Sequence, residues 1–130
     1  MKNIVLLVLG LVVLFAGIIF LLPSKKTTSQ QQQSSKSEII SNEVSSGKAK
    51  LYDVRTPAEF TSGHAKFAEN FDSVLITAGT YPPVSKDTKI YLYCHSGNRA
   101  GKAKAVLEKN GFTNVESLGG LNNSVVVGLF

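Results

Sequence analysis

The sequence predicts an α/β domain, with a mostly parallel sheet covered by helices on both faces, behind one N-terminal transmembrane helix. From Ser37 onward, short apolar segments typical of buried strands alternate with helical segments, which is the pattern of a parallel sheet. An uninterrupted apolar stretch, residues 4–22, precedes them. The one cysteine, Cys94, follows a predicted strand and precedes a predicted helix. In parallel sheets this position lies at the edge where ligands bind.

Residues 1–22 are predicted to form a signal-anchor, which is a transmembrane helix. Residues 4–22 are 19 consecutive residues without a charge, and at helical rise this length crosses a bilayer core. A cleaved secretory signal is the alternative, but the apolar run is longer than usual and no small-residue cleavage site follows it. We expect a single-pass anchor with the domain on the extracytoplasmic side. Because lysines flank both ends, a cytoplasmic domain and a cleaved, secreted form remain the alternatives.

Residues 23–36 are predicted to be a disordered linker between this anchor and a domain at residues 37–130. The linker is rich in Ser and Gln, and Pro23 is its one apolar residue, so it buries too little surface to offset its ordering entropy. The domain is expected to begin with an amphipathic helix over residues 37–47, with Ile39, Ile40 and Val44 on one face.

The remaining elements follow from apolar runs and turn residues. The predicted strands are residues 50–54, 74–76, 89–93 and 115–118. Pro57 suits the first turn of a short helix that ends near residue 62. A longer helix follows the cysteine and ends at Asn110 and Gly111, with the glycine in the left-handed position.

The charge distribution argues against a nucleic-acid-binding domain. The 130-residue chain has 14 Lys and Arg against 9 Asp and Glu, a net charge of +5. Four cations and no acids precede Ser37, so the predicted domain is nearly neutral. Nucleic-acid binding requires a basic face on the domain itself. We therefore expect no nucleic-acid partner. We also expect the protein to be a monomer.

Residues 94–99 are predicted to form a loop that holds a negative group on the sulfur of Cys94. If the loop curls, its successive N–H groups point at the sulfur, and Gly97 permits the positive φ that a curl needs. Arg99 adds a cation where the helix begins. Such surroundings favour a thiolate or a persulfide. The alternative is an inert cysteine packed in the core.

No cofactor is expected from the residues present. A single cysteine excludes an intramolecular disulfide, and His64 and His95 have no companion at metal-ligand spacing. We interpret His95 as a solvated loop residue and His64 as a helix-end residue with a capping or packing role.

Several motifs resemble those of rhodanese domains. The stretches that carry the resemblance are DVRTPAEF (53–60), GH (63–64), YCHSGNRA (93–100), NGF (110–112) and VESLGGL (115–121). Their order and spacing over residues 37–121 make the match specific. Behind an export-like N-terminus, such a domain is most similar to the small periplasmic phage-shock rhodaneses. The resemblance implies a rhodanese-like three-layer domain.

The resemblance also implies a sulfurtransferase. Cys94 would take a sulfane sulfur from a donor such as thiosulfate, become a persulfide, and pass the sulfur to cyanide or a thiol. The substrate-binding residues implied by the family are His95, Ser96, Gly97, Asn98 and Arg99. Asp53 and Arg55 match supporting positions, where we expect them to tie the strand end to the loop. Related phosphatases and arsenate reductases use a longer loop, so this loop length favours sulfur over phosphate.

An alternative is a non-enzymatic rhodanese-like module that binds a partner, or senses sulfide or redox state, through the same thiol. The presence of both Cys94 and Arg99 favours the enzyme. Two departures from the family pattern are expected to affect substrate preference and local packing. Phe67 stands at a position where relatives usually have glycine, and the C-terminal stretch 122–130 is short and lacks tryptophan.

Overall fold

The structure is a computed structural model that describes residues 29–130. Its helices are α1 (Ser29–Ser45), α2 (Pro57–Thr61), α3 (Ser73–Thr77), α4 (Asn98–Lys109) and α5 (Ser124–Val127), and its strands are β1 (Ala49–Asp53), β2 (Glu69–Asn70), β3 (Lys89–Tyr93) and β4 (Val115–Gly119). The predicted transmembrane helix and linker residues 23–28 lie outside the described residues. Within the part that is described, no helix combines the length and apolar character that crossing a membrane requires.

The four strands form one parallel sheet in the order β2-β1-β3-β4. Asp53, the last residue of β1, is in register with Asn70 on one side and Tyr93 on the other. Tyr93 is in turn in register with Gly119 at the end of β4. The carboxyl ends of all four strands therefore meet at one edge, as the sequence predicts, and Cys94 lies immediately beyond that edge.

The side chains of the strands pack into two separate cores, one on each face of the sheet, because successive residues of a strand point to opposite faces. Ile90, Leu92 and Cys94 share one face with α3 and α4. Tyr91 and Tyr93 share the other face with residues of α1 and α5. The predicted architecture, a parallel sheet with helices on both faces, is thus confirmed for the described residues.

The predicted strand at residues 74–76 is wrong, because these residues lie in helix α3. The side chain of Asp72 accepts a hydrogen bond from the N–H of Val74 and so caps the helix. Only Ile76 of the three apolar residues is buried, while Val74 and Leu75 are exposed. A three-residue apolar run has no periodicity that separates helix from strand. The strand at this edge is β2, two polar residues paired with β1.

Helix α1 begins at Ser29, eight residues before the predicted start at Ser37. Residues 29–36 are therefore helical in the structure, where the sequence analysis expects part of a disordered linker. Gln and Lys are good helix formers, and the segment continues a helix that Ile40 anchors in the core. Lys36 also pairs with Glu116, with 2.6 Å between Nζ and Oε1. The helix thus extends beyond its amphipathic part through residues of good helix propensity, with one exposed ion pair to β4.

The end of α4 agrees with the prediction. Gly111 has φ +89°, its N–H donates to the carbonyl of Glu108, and the N–H of Phe112 donates to that of Leu107. This is the Schellman pattern, and Phe112 is buried as its apolar residue.

Candidate active site

Cys94 lies at the carboxyl end of β3 with its side chain in the core beside α4. The residue is 0% exposed and belongs to the same apolar cluster as Leu92 and Ala100. Its sulfur accepts a hydrogen bond from the backbone N–H of Gly97, with 3.1 Å between the nitrogen and Sγ. One N–H group of the loop therefore points at the sulfur, and within the described residues no other N–H of the loop hydrogen-bonds to it. The sulfur itself does not reach the solvent in this conformation.

The end of β4 determines the shape of this loop. The N–H of Cys94 donates to the carbonyl of Gly119, and the N–H of Leu121 donates to the carbonyl of His95. A Cβ atom on Gly120 would lie 2.6 Å from the carbonyl oxygen of His95, which is closer than real Cβ atoms approach. Gly97 has φ +94°, a conformation that favours glycine. The conformation of the loop therefore depends on its hydrogen bonds to the end of β4 and on a glycine at position 120.

Several backbone N–H groups of the loop remain available for an anion. Within residues 29–130, no protein acceptor takes a hydrogen bond from the N–H groups of His95, Ser96, Asn98 or Arg99. Two of them open helix α4, where the partial positive charge of the helix also favours an anion. A cleft of about 440 Å³ adjoins the loop and is lined by His95, Ser96, Leu121 and Asn122.

Arg99 forms a two-point ion pair with Glu59 of helix α2. Its Nη1 and Nη2 each lie 2.7 Å from one oxygen of the Glu59 carboxylate. Hydrogen bonds from Arg99, followed by one from the backbone of Thr56, lower the pKa of Glu59 below its usual range. The same pairing raises the pKa of Arg99. The guanidinium thus faces a carboxylate of the protein.

Asp53 and Arg55 form a second ion pair, which is fully buried. Arg55 donates from Nε and Nη2 to the carboxylate of Asp53, with Nη2 2.5 Å from Oδ2. Nη2 also lies 2.6 Å from the carbonyl oxygen of Gly63. The hydrogen bond with Asp53 raises the pKa of Arg55. These contacts connect the end of β1 to the Gly63 segment, and neither side chain hydrogen-bonds to the cysteine loop.

The two histidines differ in their surroundings. His64 stacks on Phe60, with 3.8 Å between ring centroids, and its Nδ1 lies 3.0 Å from the carbonyl oxygen of Phe60. These contacts fit the predicted helix-end role. The side chain of His95 is exposed. Among the described residues, no group of three or more His, Cys, Asp or Glu side chains is arranged to hold a metal ion.

Phe67 adopts a conformation that normally belongs to glycine. Its φ is +64°, the one positive value among the non-glycine residues that the structure describes. The N–H of Ala68 donates to the carbonyl of Ala65, so Phe67 is the third residue of a β-turn, where a type II turn requires positive φ. The residue is 46% exposed. The backbone thus keeps the turn that a glycine at this position would favour.

The sequence predicts no role in the site for Glu59, for Gly119 at the end of β4 or for Gly120 after it. Glu59 had a local signal, since Thr56-x-x-Glu59 fits a capping box, and the structure contains that capping box. The signal indicates a helix start and says nothing of Arg99, which is 40 residues away in the chain.

Comparisons with known proteins agree with this geometry. The rhodanese-like domain family matches residues 36–124. The uncharacterized protein YqhL of Bacillus subtilis is 38% identical over 73 residues, which are 56% of this chain and 57% of YqhL. The thiosulfate sulfurtransferase PspE of Escherichia coli is 36% identical over 73 residues, 55% of this chain and 69% of PspE. The matched region thus spans little more than half of YqhL.

Solved structures share the fold at low identity. The human single-domain sulfurtransferase TSTD1 superposes with a TM-score of 0.55 at 21% identity, over 64% of this chain and 85% of TSTD1. A rhodanese-related protein of Thermoplasma volcanium gives 0.58 at 21% identity, over 72% of this chain and 91% of that protein. These likenesses concern the fold alone. Because the family match covers most of the chain, the protein belongs to the rhodanese-like domain family.

Proposed function

We propose that the protein is a sulfurtransferase that moves a sulfane sulfur from a donor such as thiosulfate to a thiophilic acceptor through a persulfide on Cys94. The observation that carries the proposal is the hydrogen bond from the N–H of Gly97 to Sγ of Cys94. It places the sulfur within a loop whose further N–H groups have no protein acceptor in the described residues. The similarity to PspE supports the same reaction class.

The reaction proceeds in two displacement steps. The Cys94 thiolate attacks the outer sulfur of thiosulfate, the new S–S bond forms, and sulfite leaves with the electron pair of the old S–S bond. Cyanide or a thiolate then attacks the outer sulfur of the persulfide and releases the Cys94 thiolate. The loop N–H groups stabilise the negative persulfide, and the two-step covalent path gives ping-pong kinetics.

The burial of Cys94 adds one requirement to this scheme. With the residue 0% exposed, the donor reaches the sulfur only after residues 94–99 move. The cleft beside His95 and Ser96 is the nearest open volume from which a donor could approach. Loops at ligand sites are commonly among the less stable parts of a fold.

A steady-state assay tests the proposal. Thiosulfate and cyanide are varied together, and thiocyanate is measured for the wild type and for Cys94→Ser. We expect parallel double-reciprocal lines for the wild type and no thiocyanate above background for the variant. A folded wild type that forms no thiocyanate, or a Cys94→Ser variant that still does, would contradict the proposal.

The burial of Cys94 also favours the second candidate, a binding or sensing module. A cysteine without solvent access resembles a packed core residue. Such a module would bind its partner, or it would accept the outer sulfur of a persulfide once, with the donor leaving as its thiolate and without turnover. Repeated turnover per chain in the thiocyanate assay supports the enzyme, and a single equivalent of product supports the module.

We further propose that residues 4–22 anchor the protein in a membrane with the domain on the extracytoplasmic side. The proposal rests on the 19-residue uncharged run alone. Protease added to intact cells of a producing strain, followed by blotting for the domain, tests it. Digestion of the membrane-bound form supports the proposal. Protection until the cells are lysed contradicts the orientation, and a fully soluble domain contradicts the anchor.

A further inference from the structure

Both arginines of this chain are neutralised by carboxylates. The chain has two arginines, Arg55 and Arg99. Arg55 is buried against Asp53, and Arg99 pairs with Glu59 through both terminal guanidinium nitrogens. Arginine commonly binds an oxyanion through two parallel N–H···O hydrogen bonds. In this structure the carboxylate of Glu59 occupies that two-point site on Arg99. Neither arginine therefore presents this geometry to a substrate.

Glu59 is held rigidly in this position. Its Oε2 accepts hydrogen bonds from the backbone N–H and from the hydroxyl of Thr56, each at 3.0 Å. These contacts form the capping box of α2. Because the cap and the ion pair use the same carboxylate, a movement of Glu59 away from Arg99 would also break its hydrogen bonds to Thr56 at the start of α2. The pairing is thus part of the resting structure and is not a chance surface contact.

Besides Glu59, two further groups attract the positive charge of Arg99. The pKa of Arg99 is raised chiefly by its hydrogen bonds to Glu59, and attraction to Cys94 and Asp72 raises it further. Asp72 caps helix α3 with its carboxylate. One cation therefore stands among two fixed carboxylates and the sulfur. A second negative charge on an incoming donor has no free arginine to balance it.

From this geometry we infer that Glu59 is a specificity-determining residue, which makes the Cys94 loop favour monoanionic sulfur donors, such as organic thiosulfonates, over dianionic thiosulfate. The inference rests on the proposed sulfur transfer. With a thiosulfonate, the thiolate attacks the outer sulfur, the new S–S bond forms, and a sulfinate leaves with the electron pair of the broken bond. The persulfide is the same with either donor, and only the charge of the donor and of its leaving group differs.

The substitution Glu59→Gln removes the negative charge and replaces one of the two oxygens that accept hydrogen bonds from Arg99. Glutamine also serves at this position of a capping box, so the helix start is retained. Arg99 then carries an uncompensated positive charge next to the loop. If about 6 Å of a medium close to water separates this charge from the bound donor, kcat/KM should rise about tenfold for a dianion and about threefold for a monoanion.

The experiment measures kcat/KM for thiosulfate and for the methanethiosulfonate anion, with cyanide as acceptor. For each donor, kcat/KM of the variant is divided by kcat/KM of the wild type, because this ratio cancels the intrinsic reactivity of the donor. We expect a larger ratio for thiosulfate, mainly through KM. Glu108→Gln is the matched control, since it removes the same charge from the Lys104–Glu108 pair at the far end of α4. Nine residues of helix separate Glu108 from Arg99, about 14 Å, and we expect little change with either donor.

Each outcome distinguishes the inference from the proposed function. Equal ratios for the two donors in an active Glu59→Gln protein would overturn the inference and leave sulfur transfer intact. No turnover of either donor in the folded wild type would overturn the proposed function and the inference with it. If Glu59→Gln does not fold, salt dependence of the wild type decides. If Glu59 neutralises Arg99, salt has no net attraction for thiosulfate to screen, so kcat/KM for thiosulfate should not fall as the ionic strength rises. A steep fall would contradict the inference.

Discussion

The Asp53–Arg55 pair and the Glu59–Arg99 pair have the same chemistry in different surroundings. The first pair is 0% and 4% exposed, and Arg55 also holds the carbonyl of Gly63. In the second pair, the two side chains are 33% and 35% exposed and lie between α2 and the cysteine loop. Each pair has a member in one short stretch of the chain, which runs from Asp53 at the end of β1 to Glu59 in α2. Burial is therefore the main difference between them.

This difference indicates two roles. A buried charge without its partner costs several kcal/mol, so the Asp53–Arg55 pair should matter for folding. An ion pair that water reaches contributes about 1 kcal/mol or less, so the Glu59–Arg99 pair should matter for the charge of the site. The predictions below test this separation, from the largest expected effect to the smallest.

Removal of Arg55 should destabilise the domain most. Arg55→Met leaves the buried Asp53 carboxylate without its cation, with the backbone N–H of residue 55 as a remaining donor, so we expect a loss of about 3–5 kcal/mol in the free energy of unfolding. Urea denaturation of the variant and the wild type measures this loss. Arg99→Met is the matched comparison, with an expected loss of about 1 kcal/mol or less. Similar losses for the two variants would show that burial does not separate the pairs.

Gly120→Ala should damage the loop without touching either pair. The new Cβ would lie 2.6 Å from the carbonyl oxygen of His95 and 2.7 Å from the carbonyl carbon of Ser96, and backbone atoms cannot move aside cheaply. We expect a loss of about 1–3 kcal/mol in stability and a fall of about a hundredfold in sulfur transfer.

Gly101→Ala is the control for this substitution. Gly101 lies in α4, and a Cβ there meets no atom within 4 Å. Because alanine is the better helix former, we expect a gain of up to about 1 kcal/mol. A Gly120→Ala protein as active and as stable as the Gly101→Ala protein would contradict the proposed dependence of the loop on the end of β4.

Phe67→Gly should stabilise the turn before β2. At φ +64° a phenylalanine is strained and a glycine is not, so we expect Phe67→Gly to be about 1 kcal/mol more stable than Phe67→Ala, which loses the ring but keeps the Cβ. Thermal unfolding of both variants measures the difference. Equal stabilities would mean that the backbone relaxes around an alanine without cost.

The contribution of the Glu59 pair should depend on pH. The pKa of Glu59 is lowered in the folded state, so its stabilisation is present above its ordinary value, near 4.3, and is lost as the pH falls toward the lowered value. We expect the wild type to exceed Glu59→Gln by up to about 1 kcal/mol at neutral pH. Denaturation at several pH values should show the difference shrinking below about pH 4. A difference that grows as the pH falls would contradict the assignment.

The sequence predicts most of the fold because its longer elements have clear patterns. Strand β3 has consecutive large apolar residues that fill both cores, and α4 has helical spacing and a complete C-terminal signal. The strand prediction for residues 74–76 is wrong because three apolar residues fit either structure. Strand β2 has two polar residues, and its conformation depends on pairing with β1, so no local pattern indicates it.

The site is predictable only where its residues are neighbours in the chain. The curled loop follows from Cys94, Gly97 and the start of α4, which are close in sequence. The contact between Glu59 and Arg99, and that between Gly120 and His95, join residues that only the folded sheet brings together. The burial of Cys94 likewise depends on the alternation of β3 and on the packing of α4.

The most direct test of the central claim is the intact mass of the protein after incubation with thiosulfate or the methanethiosulfonate anion. We expect the wild type to gain the mass of one sulfur atom and to lose it on addition of cyanide. We expect the Cys94→Ser variant to gain no mass. No gain with either donor, or an equal gain in the Cys94→Ser variant, would contradict the claim that Cys94 carries a persulfide.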